Sequence, residues 1–293
     1  MRSIRKLYFQ NAAGERRGLN GESGAYATSL AGFGFTLGPD FADLGRGFFA
    51  PVSDEKDPQN NLAFTIVLTR SAYAAHQSLM DWLATAGTLT IVYDPTGQRE
   101  YCRDVSINFI QKSELTAAGW LELPCSLLCH SPWYLPSPTS LGIAGTGEDE
   151  SLRYDYAYSE DLRYGMDSTA ALSATIAGSG HIPGALHVTY HGAITNPQIR
   201  LTGNISGRTL GICRLSVILE ETDTLEFSSK YENSYVKRIR ADGTETDLLD
   251  ALDLSTTPFF HIPVNEPCTL SIESDAPITG RANLLIYYYY RSV

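Results

Sequence analysis

The chain has 293 residues, which suits two domains, because single hydrophobic cores stop growing near ~250–300 residues and most domains hold ~100–150. Its formal net charge of −11 and the lack of any long run of Lys or Arg exclude a phosphate-binding stripe, so we expect no specific nucleic-acid binding. No apolar run reaches the ~18–20 residues that span a bilayer, and the N-terminus lacks the hydrophobic region of a signal peptide, so we expect a soluble, unsecreted protein without membrane insertion.

Strand signals dominate the N-terminal part of the chain, and the abundance of Gly, Tyr and β-branched residues indicates a mainly β protein. We predict a first strand at residues 4–9, a polar, glycine-rich connection at residues 11–24, and loosely alternating sequence at residues 30–47. A charged loop at residues 53–61 is expected to project. Residues 62–68 form a near-continuous apolar run, which is typical of a strand covered on both faces.

One amphipathic helix is predicted at residues 71–87. Ser71 is a favourable N-cap, and apolar residues then recur at helical spacing until Gly87 supplies a C-terminal stop. The apolar face of this helix must be covered, so we expect it to pack on the neighbouring sheet.

A β-hairpin is predicted directly after the helix. Its turn is Asp94-Pro95-Thr96-Gly97, in which Pro fixes one backbone dihedral and Gly accepts a positive φ. On the return strand, residues 102–109, the alternating Val105, Ile107 and Phe109 are expected to face one side of the sheet.

A further strand is predicted after a loop at residues 111–119, because every second residue from Leu121 to Cys129 is apolar. Residues 131–134 close the unit, since Pro132 cannot donate to a sheet ladder. We interpret this part of the chain as a helix packed on an antiparallel sheet.

The composition changes after Tyr134, where residues 135–150 are rich in Pro, Ser, Gly and Thr. We therefore predict two domains, residues 1–138 and residues 139–293. In the second, alternating tyrosines at residues 154–158 begin a series of short strands with a turn about every ten residues. This spacing favours a β-sandwich or jelly roll.

None of the cysteine or histidine spacings predicts a metal site. Five scattered cysteines in a chain of this length favour buried free thiols over a disulfide framework. Cys125 and Cys129 lie roughly 13 Å apart on an extended strand and cannot share one zinc without a break in that strand. His187 and His191 have the same spacing, which disfavours a shared metal but leaves it as an alternative. We predict no metal and no cofactor.

No catalytic motif is present, because the chain lacks a Gly-x-Ser-x-Gly elbow, a Walker-type loop and a His-Glu-x-x-His zinc motif. Glu220, Glu221, Asp223 and Glu226 lie close together in the sequence, which leaves a glycosidase pair and a solvated loop open. The loop is favoured because the four residues surround a turn. We predict no catalytic residue.

Aromatic residues also leave two interpretations open. Tyr287 and Trp133 are able to stack on sugar rings if they are exposed, whereas alternating tyrosines in a final strand, here residues 287–290, more often pack into a core. Core packing is favoured.

The order and spacing of short motifs across both halves resemble the distal tail proteins, known as Dit, of phages with long, non-contractile tails. In the first half the motifs are Asp81-Trp82-Leu83, Asp94-Pro95 and Ser131-Pro132-Trp133-Tyr134. In the second half they are residues 153–158, Asn196-Pro197-Gln198-Ile199-Arg200-Leu201, Leu225-Glu226-Phe227, Asp242-Gly243, Phe259-Phe260-His261-Ile262-Pro263 and the tyrosine-rich end.

The resemblance implies a structural, non-enzymatic protein of the virion tail that is assembled in the host cytoplasm. It implies a hexameric ring formed by an N-terminal β-sandwich-like domain with one α-helix, and a C-terminal galectin-like β-sandwich that projects outward. The implied partners are copies of the same chain, the tail tube protein, the tail-tip hub or tail-associated lysin, and receptor-binding proteins.

A ring needs two different adhesive edges on each subunit, and projecting hairpins can supply them. We therefore expect either the charged loop at residues 53–61 or the hairpin to contact a neighbouring subunit. The hairpin residues concerned are Asp94, Pro95, Thr96, Gly97 and Gln98. Two alternative functions stay open: a carbohydrate-binding protein that uses the C-terminal sandwich, and a cell-wall hydrolase, for which the sequence offers only scattered carboxylates.

Overall fold

The computed structural model describes residues 5–34, 41–45, 48–51, 61–143 and 171–293. The protein forms two compact units, Met1–Leu135 with Tyr289–Val293, and Pro136–Tyr288. We call them the N-terminal unit and the C-terminal unit. Antiparallel strands make up most of the described part, which contains a single α-helix, so the predicted mainly β fold is confirmed.

The N-terminal unit is built from a curled antiparallel sheet and one helix. Its elements are β1 (Lys6–Gln10), β2 (Arg16–Gly18), β3 (Ala25–Ala31), β4 (Phe41–Gly45), β5 (Phe48–Pro51), β6 (Asn61–Leu68), α1 (Ala72–Ala84), β7 (Leu89–Asp94), β8 (Tyr101–Ile110), β9 (Leu121–Cys129) and the start of β10 (Trp133–Ile143). Strand pairing gives the order β2-β1-β7-β8-β9-β6-β3, and β4 pairs with β5. Ala27 N donates to Leu19 O at 3.1 Å, so the two ends of this order meet.

The curled sheet encloses one hydrophobic core. Alternate strand residues are buried in it, as Leu7 and Phe9 of β1 show, and Leu79 and Trp82 of α1 pack on the same cluster. Burial of one large apolar side chain stabilises the fold by ~1.5–3 kcal/mol. The helix therefore covers the sheet with the apolar face that its sequence predicts.

Helix α1 is shorter than predicted, because it begins at Ala72 and ends at Ala84 rather than covering residues 71–87. Ser71 lies at the N-cap with φ 44° and ψ 50°, and its side chain makes no capping hydrogen bond. Ser71 therefore occupies the predicted N-cap position, but a side-chain cap requires extended backbone there, so the expected side-chain capping is wrong. At the other end, Thr85 Oγ1 donates to Trp82 O at 3.1 Å and terminates the helix before Gly87.

The predicted hairpin is confirmed by the pairing of β7 with β8, in which Leu89 lies opposite Val105 and Tyr93 opposite Tyr101. This register places residues 95–100 in the connecting turn. Gly97 has φ 78°, the left-handed conformation that the turn sequence predicts.

The expected alternation along β8 is wrong beyond Ile107. A register shift between Ile107 and Phe109 places Phe109 opposite Ser126. Val105 is buried, whereas Ile107 and Phe109 are 38% and 42% exposed. A β-bulge adds a residue to one strand and so breaks the inward and outward alternation.

Part of the predicted glycine-rich connection is a strand, since β2 pairs with β1 through Gly18 opposite Tyr8 and Arg16 opposite Gln10. The strand was not predicted because β2 contains two consecutive arginines and no apolar alternation. The predicted tyrosine strand at residues 154–158 lies outside the described residues, as does the predicted loop at residues 53–61 except for Asn61, which begins β6.

The C-terminal unit contains two larger antiparallel sheets. Its elements are β11 (Leu172–Ile176), β12 (Ile182–His191), β13 (Ile194–Thr195), β14 (Gln198–Gly203), β15 (Thr209–Arg214), β16 (Ile218–Leu219), β17 (Thr224–Lys230), β18 (Asn233–Ile239), β19 (Glu245–Asp247), a 3-10 turn (Leu249–Ala251), β20 (Cys268–Glu273) and β21 (Arg281–Tyr290). One sheet has the order β11-β20-β14-β15, and the other contains β12-β17-β18-β19. Each sheet buries one face, as Leu201 of β14 and Phe227 of β17 show.

The end of β21 leaves the C-terminal unit, because residues 289–293 belong to the N-terminal unit. There, the aromatic rings of Tyr290 and Tyr101 lie 5.4 Å apart in an edge contact. The assignment of residues 1–138 to a ring-forming domain and of residues 139–293 to a galectin-like domain stays a prediction. No helix in the described ranges is long and apolar enough to cross a bilayer.

Candidate functional site

The histidines that were considered as metal ligands have separate partners. His187 Nε2 lies 3.5 Å from the Tyr235 hydroxyl, and His191 Nδ1 lies 2.8 Å from Thr224 Oγ1. Within the described ranges, no group of three or more His, Cys, Asp or Glu side chains is arranged to hold a metal ion.

All five cysteines are buried. Burial raises the pKa of Cys125 and of Cys213 to about 12. Because the thiolate is the nucleophile and the metal ligand, these side chains are held in their unreactive form.

Two of the four carboxylates considered for glycoside hydrolysis, Asp223 and Glu226, are engaged with cations. Asp223 is 3% exposed, and its Oδ2 accepts hydrogen bonds from Arg238 and from Glu220 N. Glu226 Oε2 lies 3.3 Å from Lys237 Nζ. Asp223 is thus a buried structural anion rather than part of a solvated loop.

Both aromatic residues considered for sugar stacking are buried, with Trp133 at 0% and Tyr287 at 9% exposure. Trp133 packs 5.4 Å from the Phe33 ring and 5.5 Å from the Arg103 guanidinium. The stacking interpretation is therefore wrong for these two residues, and core packing is confirmed.

The hairpin turn at residues 94–98 is organised by one carboxylate. Asp94 Oδ1 accepts hydrogen bonds from the backbone N–H groups of Thr96, Gly97 and Gln98 at 3.1, 2.6 and 3.1 Å. Asp94 is 4% exposed, whereas Thr96, Gly97 and Gln98 are exposed. The side chain of Asp94 thus holds the turn, and Thr96, Gly97 and Gln98 form its solvent-exposed surface.

An arginine cleft lies beside this turn, between β2 and α1. It has a volume of about 330 Å³, and Arg16, Arg17, Leu19, Ala25, Leu68, Ala75 and Leu79 are among its lining residues. Arg16 forms two hydrogen bonds with the Glu100 carboxylate, at 2.9 and 2.8 Å, which join the cleft to the strand that follows the turn. The cleft thus combines an apolar floor with a positively charged rim.

The connection between β8 and β9, residues 111–120, forms a rigid tip. Thr116 N donates to Trp120 O at 2.8 Å, and Gly119 N donates to Thr116 O at 2.8 Å. Ser113 Oγ donates to Glu122 O at 2.6 Å at the base. This β8–β9 tip exposes Leu115 at 41% and Trp120 at 40%.

The tip and the cleft lie on different flanks of α1. Lys112 Nζ of the tip lies 4.9 Å from the Tyr73 ring centroid, whereas Ala75 and Leu79 line the cleft. At 3.6 residues per turn, Tyr73 is about 120–160° around the helix axis from those two residues. The N-terminal unit therefore carries two distinct candidate contact surfaces.

Sequence reasoning found the turn but missed the other two surfaces. Arg16 and Arg17 were assigned to a polar connection, and residues 111–119 to a plain loop. Trp120 offered a signal, because a large aromatic residue beside a Gly-containing turn is an apolar group that the strand pattern does not bury.

Comparison of the sequence with known protein families gives a match in the N-terminal unit. Residues 6–130 match the model of the distal tail protein, N-terminal domain. Residues 6–130 thus carry the N-terminal domain of the distal tail protein family, and the resemblance seen in the sequence motifs is confirmed for this part of the chain.

Solved structures share the fold of this chain over nearly its whole length. A chain in the phage P2 baseplate in its activated conformation with Ca has a TM-score of 0.65 at 13% identity, over 99% of this chain and 100% of that chain. The crystal structure of SPP1 Dit, described as a paradigm of the hub adsorption apparatus in phages that infect Gram-positive bacteria, gives 0.56 at 10% identity, over 96% and 98%. At these identities the likeness concerns the fold. Comparison with curated protein sequences finds no match.

Proposed function

We propose that this chain is a distal tail protein that assembles through its N-terminal unit into a closed ring, a homohexamer, at the distal end of the tail. The ring links the tail tube protein to the tail-tip hub or tail-associated lysin, and it carries receptor-binding proteins. The C-terminal unit serves as a galectin-like sandwich, and assembly takes place in the host cytoplasm before the ring enters the virion.

One observation carries the self-assembly proposal. The matched domain exposes five large apolar side chains in the described part, and they belong to α1, β8 and the connection to β9: Tyr73, Ile107, Phe109, Leu115 and Trp120. Exposed apolar groups concentrated on neighbouring elements are typical of protein contact sites. A heterologous contact that repeats around an axis closes into a ring.

The turn at residues 94–98 is the second part of the proposed self-contact. Its backbone is fixed by Asp94, so little conformational entropy is lost when it meets a neighbour. Thr96 and Gln98 are exposed and can change without removing the Asp94 hydrogen bonds to the backbone.

Light scattering of the purified full chain tests the proposal. We expect a particle of six times the 32.1 kDa chain mass. The double variant Thr96→Arg with Gln98→Arg should lower that mass, whereas Thr244→Arg, in a hairpin of the C-terminal unit, should not. A wild-type monomer at every concentration would rule out the ring, and an unchanged double variant would remove the turn from the contact.

A second candidate function is saccharide binding by the C-terminal unit. A polar cleft of about 630 Å³ is lined by Gln198, Arg214 and Glu273, among others. Gln198 Nε2 donates to Glu273 Oε2 at 2.7 Å, and Arg214 NH2 donates to Gln198 Oε1 at 2.7 Å. Such a row of donors and acceptors suits vicinal hydroxyls. Binding of the full chain on a glycan array, abolished by Arg214→Ala, would support this function, and no binding to any glycan would reject it.

A further inference from the structure

The arginine cleft holds one cation, Arg17, that forms no ion pair with the carboxylates that the structure describes. The Arg17 guanidinium lies 5.7 Å from the Trp82 ring centroid, and no salt bridge to Arg17 is formed among the described residues. Arg16, its neighbour, is already paired with Glu100. Arg17 is thus available to an incoming carboxylate at the rim of an apolar cleft.

The β8–β9 tip has the complementary character. Leu115 and Trp120 are its exposed apolar groups, and the exposed Glu114 and Glu122 flank them in the sequence. The internal hydrogen bonds of Thr116 fix the tip before any contact forms. A preorganised apolar knob with acidic neighbours therefore matches an apolar cleft with a basic rim in both polarity and charge.

We propose that the β8–β9 tip of one copy inserts into the arginine cleft of the next copy, a contact that rests on the self-assembly proposed above. Trp120 and Leu115 pack against the apolar lining around Leu79, and Glu114 pairs with Arg17. The cleft volume of about 330 Å³ lies at the low end of the ~300–1,000 Å³ range of ligand pockets, which suits a pair of side chains.

The positions of the two surfaces make this contact heterologous. The tip and the cleft lie on different flanks of α1, so a single copy uses its tip on one neighbour and offers its cleft to the other. Such head-to-tail contacts leave no unpaired surface once they close around an axis. A partner copy therefore fits the cleft, because each chain supplies one knob and one matching hole.

A charge-reversal cycle tests the contact on the full chain. Arg17→Glu and Glu114→Arg should each weaken self-association by about tenfold or more, since each places like charges in contact. The combined variant should restore self-association to within about threefold of the wild type, because the pair is re-formed with reversed signs. Arg240→Glu, an exposed arginine of a C-terminal hairpin, is the control with the same change in net charge. Association is measured by analytical ultracentrifugation, and circular dichroism checks each fold.

Cross-linking gives a second readout that does not depend on variant affinity. Ser78→Cys places a thiol in the cleft, and Ala118→Cys places one on the tip, while all native cysteines are buried. A short bis-maleimide should join copies only when both substitutions are present in one chain, and it should give a ladder of covalent oligomers.

The outcomes separate this contact from the ring itself. A wild-type protein that stays monomeric at every concentration rejects self-assembly and this contact together. A wild-type oligomer rejects only this contact if the combined charge variant is no stronger than the single variants, or if the double-cysteine chain forms no ladder.

Discussion

Asp94 Oδ1 accepts a hydrogen bond from Gly97 N at 2.6 Å, inside a turn in which the carboxylate also holds two neighbouring N–H groups. Because Asp94 is buried at 4% exposure, water cannot replace these bonds. The turn that is proposed to contact a neighbouring copy therefore depends on one side chain.

Asp94→Ala is expected to lower the free energy of unfolding by about 1.5–3 kcal/mol, the range for hydrogen bonds to a charged group. Asp94→Asn keeps one acceptor oxygen and should lose less. Urea denaturation of both variants measures the difference. An Asp94→Ala protein as stable as the wild type would show that the turn does not need this carboxylate.

Replacing each of two tryptophans of the N-terminal unit by alanine should affect different properties, fold stability for Trp133 and self-association for Trp120. Trp133 is fully buried and packs on Phe33 and Arg103, so Trp133→Ala should cost about 3–5 kcal/mol of unfolding free energy. Trp120 is 40% exposed, so Trp120→Ala should stay within ~0.5 kcal/mol while it weakens self-association. Urea midpoints give the first quantity and sedimentation the second. Equal stability losses for both variants would contradict this assignment of core and surface.

The ion pair of Asp223 with Arg238 should dominate the electrostatic stability of the C-terminal unit. Side-chain exposure is 3% for Asp223 and 18% for Arg238, so Asp223→Ala leaves a cation without its partner and should cost about 3–5 kcal/mol. Glu245, at 59% exposure in its pair with Lys237, is the matched control, and Glu245→Ala should cost less than ~1 kcal/mol. Chemical denaturation of the two variants measures the contrast, and a larger loss for Glu245→Ala would overturn it.

His261 should make stability depend on pH. Burial lowers its pKa below the usual value, and a hydrogen bond with the Ser229 backbone only partly opposes this. Because the unfolded chain binds the proton more readily, the stabilisation is present above the unfolded pKa of ~6.5 and is lost as the pH falls through the lower folded pKa. His261 also stacks on Tyr231 at 3.9 Å.

Urea midpoints measured between pH 7.5 and 5.5 should fall less steeply for His261→Phe than for the wild type. The aromatic substitution keeps a planar ring beside Tyr231 and removes the titrating group. Identical slopes for the two proteins would mean that His261 does not contribute to the acid sensitivity.

Local sequence signals predicted the elements whose structure is set by neighbouring residues. The Asp94-to-Gly97 turn follows from the φ preferences of Pro and Gly, and the alternating residues of β9 follow from one-sided burial. The family resemblance, which rests on the order of motifs, was confirmed by the match over residues 6–130.

The errors arose where tertiary structure overrides local preference. Ser71 has a favourable capping side chain, yet the tight exit from β6 places it in the left-handed conformation. Phe109 faces the opposite side of the sheet because of a β-bulge, and no residue type in β8 predicts that bulge. The sequence also did not predict the arginine cleft around Arg17 or the β8–β9 tip around Trp120, because both surfaces depend on how distant segments pack beside α1.

Electron microscopy of the purified full chain tests the central claim most directly. The account predicts closed rings of six copies with a central hole, formed without any other tail component. Particles of single-chain size at high protein concentration, with no ring of any number of copies, would contradict it.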